Sequence, residues 1–277
     1  MIDNTSVGNQ ILLLRKRNGL TQEDLAEKLG ISAQAISKWE NGHTLPETAL
    51  LPLLAKLLNS SIDSILMPIV IKAGATIPFG KHRWRVLKTD GNSVLVITEA
   101  TIGKAPYHDG CIDISWEHCC LRKYLNGAFY DQFAEKEKSR IIKTKLSDRN
   151  NPWYGTKCGN ATFDHIFLLS YDEIIQYFGD SGDMQNKKGF CWAKDDKLIP
   201  CDENSYLQFG DCIYDKYNDA RKAQNAKGAD DWWWLRSPGG QGMHTAGSIG
   251  YFGEIFMCGD DVYRVDGGVR PALWLSL

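Results

Sequence analysis

The sequence predicts a two-part chain: an all-α bundle of five helices over residues 1–67, then an α+β unit over residues 73–277. Three observations carry this expectation. Apolar residues recur at helical spacing through residue 66, each run bracketed by capping residues. Met67-Pro68 breaks that pattern, and Thr76 to Thr98 switches to short β-branched and aromatic runs about an Asp90-Gly91-Asn92 turn. The C-terminus then closes on two apolar runs that each enclose an arginine, Arg236 and Arg270. A chain of 277 residues accommodates two such units at roughly 100–200 residues per domain.

The first helix is read from Val7, Ile11 and Leu14 and spans about Ser6 to Asn18, where Gly19 ends it. Thr21 caps the second, with Asp24 three positions on as an approximate capping box. Leu25, Ala26 and Leu29 form its apolar face, and Gly30 supplies a left-handed stop. Ser32 caps the third helix, Ile36 and Trp39 face inward, and Asn41-Gly42 ends it. An apolar run from Ala49 to Leu58 makes the fourth; Pro52 is tolerated near its start because the first helical N–H groups lack partners anyway. Ser61 caps a short fifth helix, with Ile62 and Leu66 packing inward. Leu12, Leu13 and Leu51 exceed what one buried face needs and mark a dimer contact or a seat for another unit, although single exposed leucines are ordinary.

Two short helices crossed about a glycine turn match the geometry of a helix-turn-helix. The run L-T-Q-x-x-L-A-x-x-L-G-I-S-x-x-x-I-S-K-W-E-N-G-x-x-x-P resembles the Cro/repressor class of that motif, the xenobiotic-response-element family, over about residues 7–66. The resemblance implies a transcriptional regulator that lays its third helix, about residues 33–41, in the major groove of double-stranded DNA, commonly as a homodimer on two half-sites. It assigns Gln22 to a phosphate and places Ala33, Gln34, Ser37 and Lys38 on the groove side. Gln34 would read adenine; Lys38 would read guanine or grip a phosphate. Asn41 and Thr44 would touch the backbone. Arg15 and Glu40 match positions that pair across the bundle, a structural role.

Charge works against bulk attraction. The chain carries a net −2, and residues 1–67 hold six Lys/Arg against seven Asp/Glu, a net of −1. DNA contact must come from placed side chains, because phosphate contacts normally supply most of the affinity. No signal sequence is evident at Met1 to Gln10, and the apolar run at 11–14 is far too short for a span, so the expectation is a cytoplasmic protein without a membrane partner. The eight cysteines form no C-x-x-C pair and are read as reduced thiols. Cys111, His118, Cys119 and Cys120 come nearest to a metal cluster, but adjacent cysteines suit tetrahedral zinc poorly, and no cofactor is expected.

In the second unit, strands are expected at Thr76–Gly80, Arg83–Lys88, Ser93–Thr98 and Ile166–Leu169. Helix is expected over 115–140, with Trp116, Leu121, Leu125, Phe129 and Phe133 buried, and at Tyr171–Phe178. Gly179 to Gly228 reads as loops, with a helical patch near Tyr214–Ala226. Of the three consecutive tryptophans, Trp232 to Trp234, at least one should be buried. Arg236 and Arg270 need carboxylate or carbonyl partners, as core arginines holding loops more readily than as a ligand clamp.

The W-W-L-R-S-P-G-G … G-V-R-P-A-L-W-L signature resembles an uncharacterised bacterial domain and, more distantly, the C-type-lectin-like fold of the formylglycine-generating enzymes and hypervariable retroelement proteins. The late cysteine pair of the former and the Glu-Pro-Asn or Gln-Pro-Asp of calcium lectins are both missing from this sequence. No Ser-His-Asp pattern, phosphate loop or dinucleotide fingerprint occurs either, so an enzyme is not expected. The unit reads as a module sensing an unknown small molecule, glycan or protein. The alternative is a lectin-like binding effector that uses the helical bundle only as an adaptor.

Overall fold

The computed structural model describes residues 3–66, 71–91, 93–192, 198–200, 212–240, 242 and 244–277. The chain divides into two compact units, Met1–Lys72 and Ala73–Leu277. Met67-Pro68 and the Asn92 end of the hairpin turn lie outside the described residues.

The first unit comprises α1 (Asn4–Arg17), α2 (Gln22–Leu29), α3 (Ala33–Glu40), a 3-10 turn at Thr48–Leu50, α4 (Leu51–Leu57) and α5 (Ile62–Leu66). Helix α1 starts two residues earlier than periodicity suggests, because the Asp3 carboxylate accepts the Thr5 and Ser6 N–H groups at 3.2 Å each. The capping box of α2 is complete: Asp24 N–H donates to Thr21 Oγ1 at 3.0 Å and Thr21 N–H to Asp24 Oδ2 at 2.8 Å. Those bonds, the Thr21 N–H first, hold the Asp24 carboxyl below its ordinary value. Val7, Ile11, Leu25, Ile36, Trp39, Leu54 and Ile65 meet in one core. In α5 the buried residue is Ile65, with Ile62 and Leu66 only partly covered. Leu51 is buried, whereas Leu12 and Leu13 are half-exposed.

Gly8 sets the approach of α1 to the end of α3. A Cβ there would overlap the Trp39 carbonyl oxygen and stand 2.9 Å from that of Glu40. Glycine in a helix interior costs about 0.5–1 kcal/mol, which the close crossing offsets.

The second unit is built on two antiparallel sheets. One contains β1 (Thr76–Phe79), β2 (His82–Asp90), β3 (Ser93–Thr98) and β4 (Ile141–Ile142); β5 (Thr144–Leu146) pairs separately with β6 (Thr162–Asp164). Then come β7 (Phe190–Trp192), β8 (Leu198–Pro200), β9 (Cys212–Ile213), the pair β10 (Ala223–Gln224) and β11 (Asp230–Asp231), β12 (Trp233–Pro238), β13 (Thr245–Ile249), β14 (Ile255–Asp261) and β15 (Ala272–Ser276). The orders are β1-β2-β3-β15-β4 and β12-β13-β14-β9-β7-β8. The two C-terminal apolar runs thus enter different sheets.

Four expectations are corrected. The 115–140 region is not one helix. It comprises α6 (Cys120–Tyr124), a π-turn at Leu125–Phe129, a 3-10 turn at Tyr130–Gln132 and α7 (Glu135–Lys138). Its apolar residues are buried as expected, but the Asn126 side chain donates to Ile166 O at 2.8 Å and accepts from His165 N–H at 2.8 Å. This tie sits where the helical register widens. Ile166–Leu169 is fully buried but forms only one bridge, Phe167 to Ala272. Leu169 O instead accepts from Arg236 N–H at 3.0 Å, so the segment links β15 to β12 rather than lying in a ladder. The 179–228 region contains strands β7 to β10 and α9 (Asp183–Asn186), with 193–197 and 201–211 outside the described residues. The Tyr214–Ala226 patch is helical only at α10 (Asn218–Arg221). The expected Tyr171–Phe178 helix is present as α8.

All three tryptophans are buried, with Trp233 and Trp234 at 0% exposure. Arg236 pairs with Asp148 at 2.7 Å and Glu173 at 2.5 Å and donates to Leu168 O. Among the described residues Arg270 has carbonyl acceptors alone, Thr98 O at 2.9 Å foremost, and it lies over the Trp233 ring. Its burial pulls the guanidinium below its ordinary value. Both arginines stitch loops to strands.

Candidate nucleic-acid interface

Local capping fixes how α3 is presented. Gly30 ends α2 in the left-handed region at φ +69°, leaving Ile31 and Ser32 as the turn. Ser32 Oγ then accepts the Ala35 N–H at 3.2 Å. Ile36, Trp39 and Glu40 turn inward at 0%, 5% and 7% exposure. Helical spacing leaves Ala33, Gln34, Ser37, Lys38 and Asn41 along the other side. Gln34, Lys38 and Asn41 are exposed, and Ala33 and Ser37 half-buried. With Glu40 turned inward, this stripe carries the cation Lys38 and no carboxylate.

The remaining residues are held differently. Asn41 folds its amide back onto the helix, donating to Ser37 O at 2.8 Å and Ser37 Oγ at 3.3 Å. Thr44 is exposed just beyond, its N–H donating to Lys38 O at 3.4 Å. Gly42, at φ +72°, passes Thr5 so closely that a Cβ would stand 2.9 Å from its Cα.

Gln22 is positioned by a buried network. Arg15 Nε donates to Glu40 Oε1 at 2.5 Å and Arg15 Nη2 to Glu40 Oε2 at 3.0 Å, while Nη1 donates to Leu20 O at 2.7 Å. The Glu40 hydrogen bond raises the Arg15 guanidinium above its ordinary value. Gln22 Nε2 donates to Glu40 Oε2 at 2.6 Å. One amide N–H of Gln22 is therefore committed inward and the second is available outward. The family resemblance implies the Arg15–Glu40 pair but not the Gln22 tie; nothing local announces a contact across eighteen residues. The role of Gly8 was missed as well, though a glycine between Val7 and Ile11 was its signal.

A helix-turn-helix family model matches residues 11–65, and a model described as a domain of unknown function, DUF6273, matches residues 91–277. The chain belongs to the DUF6273 family and carries an N-terminal helix-turn-helix domain. Over 61 residues it is 39% identical to the uncharacterized HTH-type transcriptional regulator YazB of Bacillus subtilis, covering 22% of this chain and 88% of that protein. Over 53 residues it is 45% identical to the HTH-type transcriptional activator BcrR of Enterococcus faecalis, covering 19% of this chain but only 26% of BcrR. Among solved structures, the P22 c2 repressor in complex with a synthetic operator is 36% identical, with 22% of this chain and 92% of that chain covered, at a TM-score of 0.22. Each of the three likenesses spans about a fifth of this chain. No described helix is long and apolar enough to cross a membrane.

Proposed function

We propose that this protein is a sequence-specific DNA-binding transcriptional regulator whose α3 reads the major groove. The observation that carries the reading is the α3 stripe, an exposed Gln34 and Lys38 on a capped helix whose one carboxylate is buried. A glutamine amide offers the donor and acceptor that match adenine N6 and N7, and Lys38 takes a guanine edge or a phosphate. Gln22, aimed by Glu40, holds a phosphate; Ala33 and Ser37 line the groove, and Asn41 and Thr44 meet the backbone. With a bundle of net charge −1, affinity rests on these contacts and on a homodimer spanning two half-sites about one helical turn apart. Residues 73–277 sense a small molecule, glycan or protein that sets when binding occurs. In vitro selection of DNA sites with the full chain tests this: a recovered palindrome or direct repeat supports it, and no enrichment refutes it.

A second reading, a lectin-like effector with the bundle as adaptor, draws on exposed rings at Tyr251, Phe252 and Tyr263. Glycan and peptide arrays probed with the full chain discriminate, since saturable array binding without DNA binding favours the effector.

A further inference from the structure

The segment Ile102–His108 and helix α6 frame a site that DNA reading does not use. The segment is pinned on one side by Ile102 N–H to Val269 O at 2.8 Å, Val269 N–H to Gly103 O at 2.9 Å and Ala105 N–H to Gly267 O at 2.9 Å. On the other side Leu121 N–H donates to Tyr107 O at 3.1 Å and His108 N–H to Val262 O at 2.9 Å. The buried Tyr107 hydroxyl donates to Arg236 O at 3.1 Å. Both flanks are thus fixed through main-chain atoms.

Two features follow from that frame. A cavity of about 300 Å³ opens among Ile102, Gly103, Lys104, Ala105, Val269 and Tyr124. The same segment ends at His108, whose Nδ1 stands 3.2 Å from Cys120 Sγ. Cys120 and Tyr124 are four residues apart on α6, hence on the same side and one turn apart. A half-buried thiol in hydrogen-bond reach of an imidazole is the pairing of an activated nucleophile. Here it lies one helical turn from Tyr124, which lines the cavity; Cys120 and His108 stand beside the cavity rather than in its lining.

We propose that Cys120, with His108 as its proton partner, is a covalent site for a small soft electrophile, an α,β-unsaturated carbonyl such as a quinone, held in the cavity that Tyr124 lines. His108 Nδ1 takes the thiol proton, and the sulfur forms a C–S bond to the β-carbon. The π pair of the C=C bond moves onto the carbonyl as an enolate, which takes the proton back from the imidazolium. Atoms and electrons balance without a further reactant. Lys104, its ammonium 3.2 Å from the buried Asp231 Oδ1, is the cation that the cavity lining offers an enolate oxygen.

The other described thiols stand apart. Cys119 is fully buried, and burial pushes its thiol up to about 12. Cys158 donates to Asp148 O at 3.1 Å and is likewise raised by burial. Cys212 and Cys258 are buried. Cys111 is exposed, with no imidazole among its described hydrogen bonds, and serves as the internal reference. The proposal goes beyond DNA reading and stands or falls on thiol chemistry alone.

The test is native full-length protein treated with limiting 1,4-benzoquinone at neutral pH, with adducts located by peptide mass spectrometry. Cys120 should react about tenfold faster than Cys111, the scale on which a neighbouring imidazole activates a thiol. Hydroquinone, of the same shape but not electrophilic, should slow labelling at Cys120 and not at Cys111. His108→Gln should bring the Cys120 rate down to that of Cys111 while leaving Cys111 unchanged. Equal wild-type rates at Cys111 and Cys120 overturn the proposal, as does a Cys120 rate indifferent to hydroquinone or to His108→Gln. The wild-type ratio decides even where His108→Gln fails to fold.

Discussion

Replacing Arg15 by leucine strips the buried Glu40 carboxylate of both guanidinium hydrogen bonds and leaves it Gln22 alone among the described partners. The Arg15 and Glu40 side chains are 8% and 4% exposed, so water replaces little of what is lost. Breaking a buried pair by removing one partner costs about 3–5 kcal/mol. A bundle of this size, at roughly 0.05–0.15 kcal/mol per residue, has about 3–10 kcal/mol in total, so the loss takes a large share of it. The double replacement Arg15→Leu/Glu40→Leu removes both charges at similar volume and should be milder than Arg15→Leu alone. Amide hydrogen exchange on the full chain reads this locally. Amides of α1 to α3 should exchange roughly 10²- to 10⁴-fold faster in Arg15→Leu, one pKa unit corresponding to 1.36 kcal/mol, and recover in part in the double variant. Protection in Arg15→Leu equal to wild type, or a double variant less protected than Arg15→Leu, would refute the network.

Other outcomes follow from single contacts. Gly8→Ala drives a methyl into the Trp39 and Glu40 carbonyls and should destabilise the bundle by about 1–3 kcal/mol, read as faster exchange in α1 and α3; unchanged exchange would show that the crossing relaxes freely. Gln22→Ala should weaken selected and scrambled DNA alike by about 0.5–1.5 kcal/mol in fluorescence anisotropy, the value of a hydrogen bond; a loss confined to the selected site would instead make Gln22 a base reader. Burial raises the Glu254 carboxyl above its ordinary value. The folded unit therefore holds that proton more tightly than the unfolded chain, and the stability it contributes, full at low pH, falls as pH rises through the window between the unfolded and the raised folded value. Thermal melts across mildly acidic pH should show Glu254→Gln losing less stability on the rise than wild type, and parallel curves would remove this linkage.

What sequence conveyed about the fold depended on whether the deciding partner was local. Thr21, Asp24, Gly30 and Ser32 act within one turn, and the helices they cap were legible. Asp3 acts just as locally but was passed over in favour of the first apolar residue. In the second unit, β1 to β3 and α8 were legible from alternation and capping. The broken helix after Cys120 was not, because the tie at Asn126 reaches His165 and Ile166, some forty residues on. Ile166–Leu169 reads as a strand because a buried apolar run has the same composition whether its carbonyls meet a ladder or a crossing arginine backbone. At the candidate interface, spacing turned Ile36 and Trp39 inward, and the family resemblance put Gln34 and Lys38 on the groove side. That Gln22 is aimed by a buried carboxylate needed the tertiary packing of α1 and α2 against α3. The contact of His108 with Cys120 was hidden for the same reason, the two being twelve residues apart in sequence.

An α3 that reads bases differs from one that merely rests on phosphates in how its affinity depends on DNA sequence. The most direct measurement compares affinity of wild-type and Gln34→Ala full-length protein for the selected site and for its scrambled counterpart at one salt concentration. Base reading by Gln34 gives a loss of about 1–3 kcal/mol on the selected site, little change on scrambled DNA, and relaxed preference at one base position. Equal losses on both DNAs would contradict it.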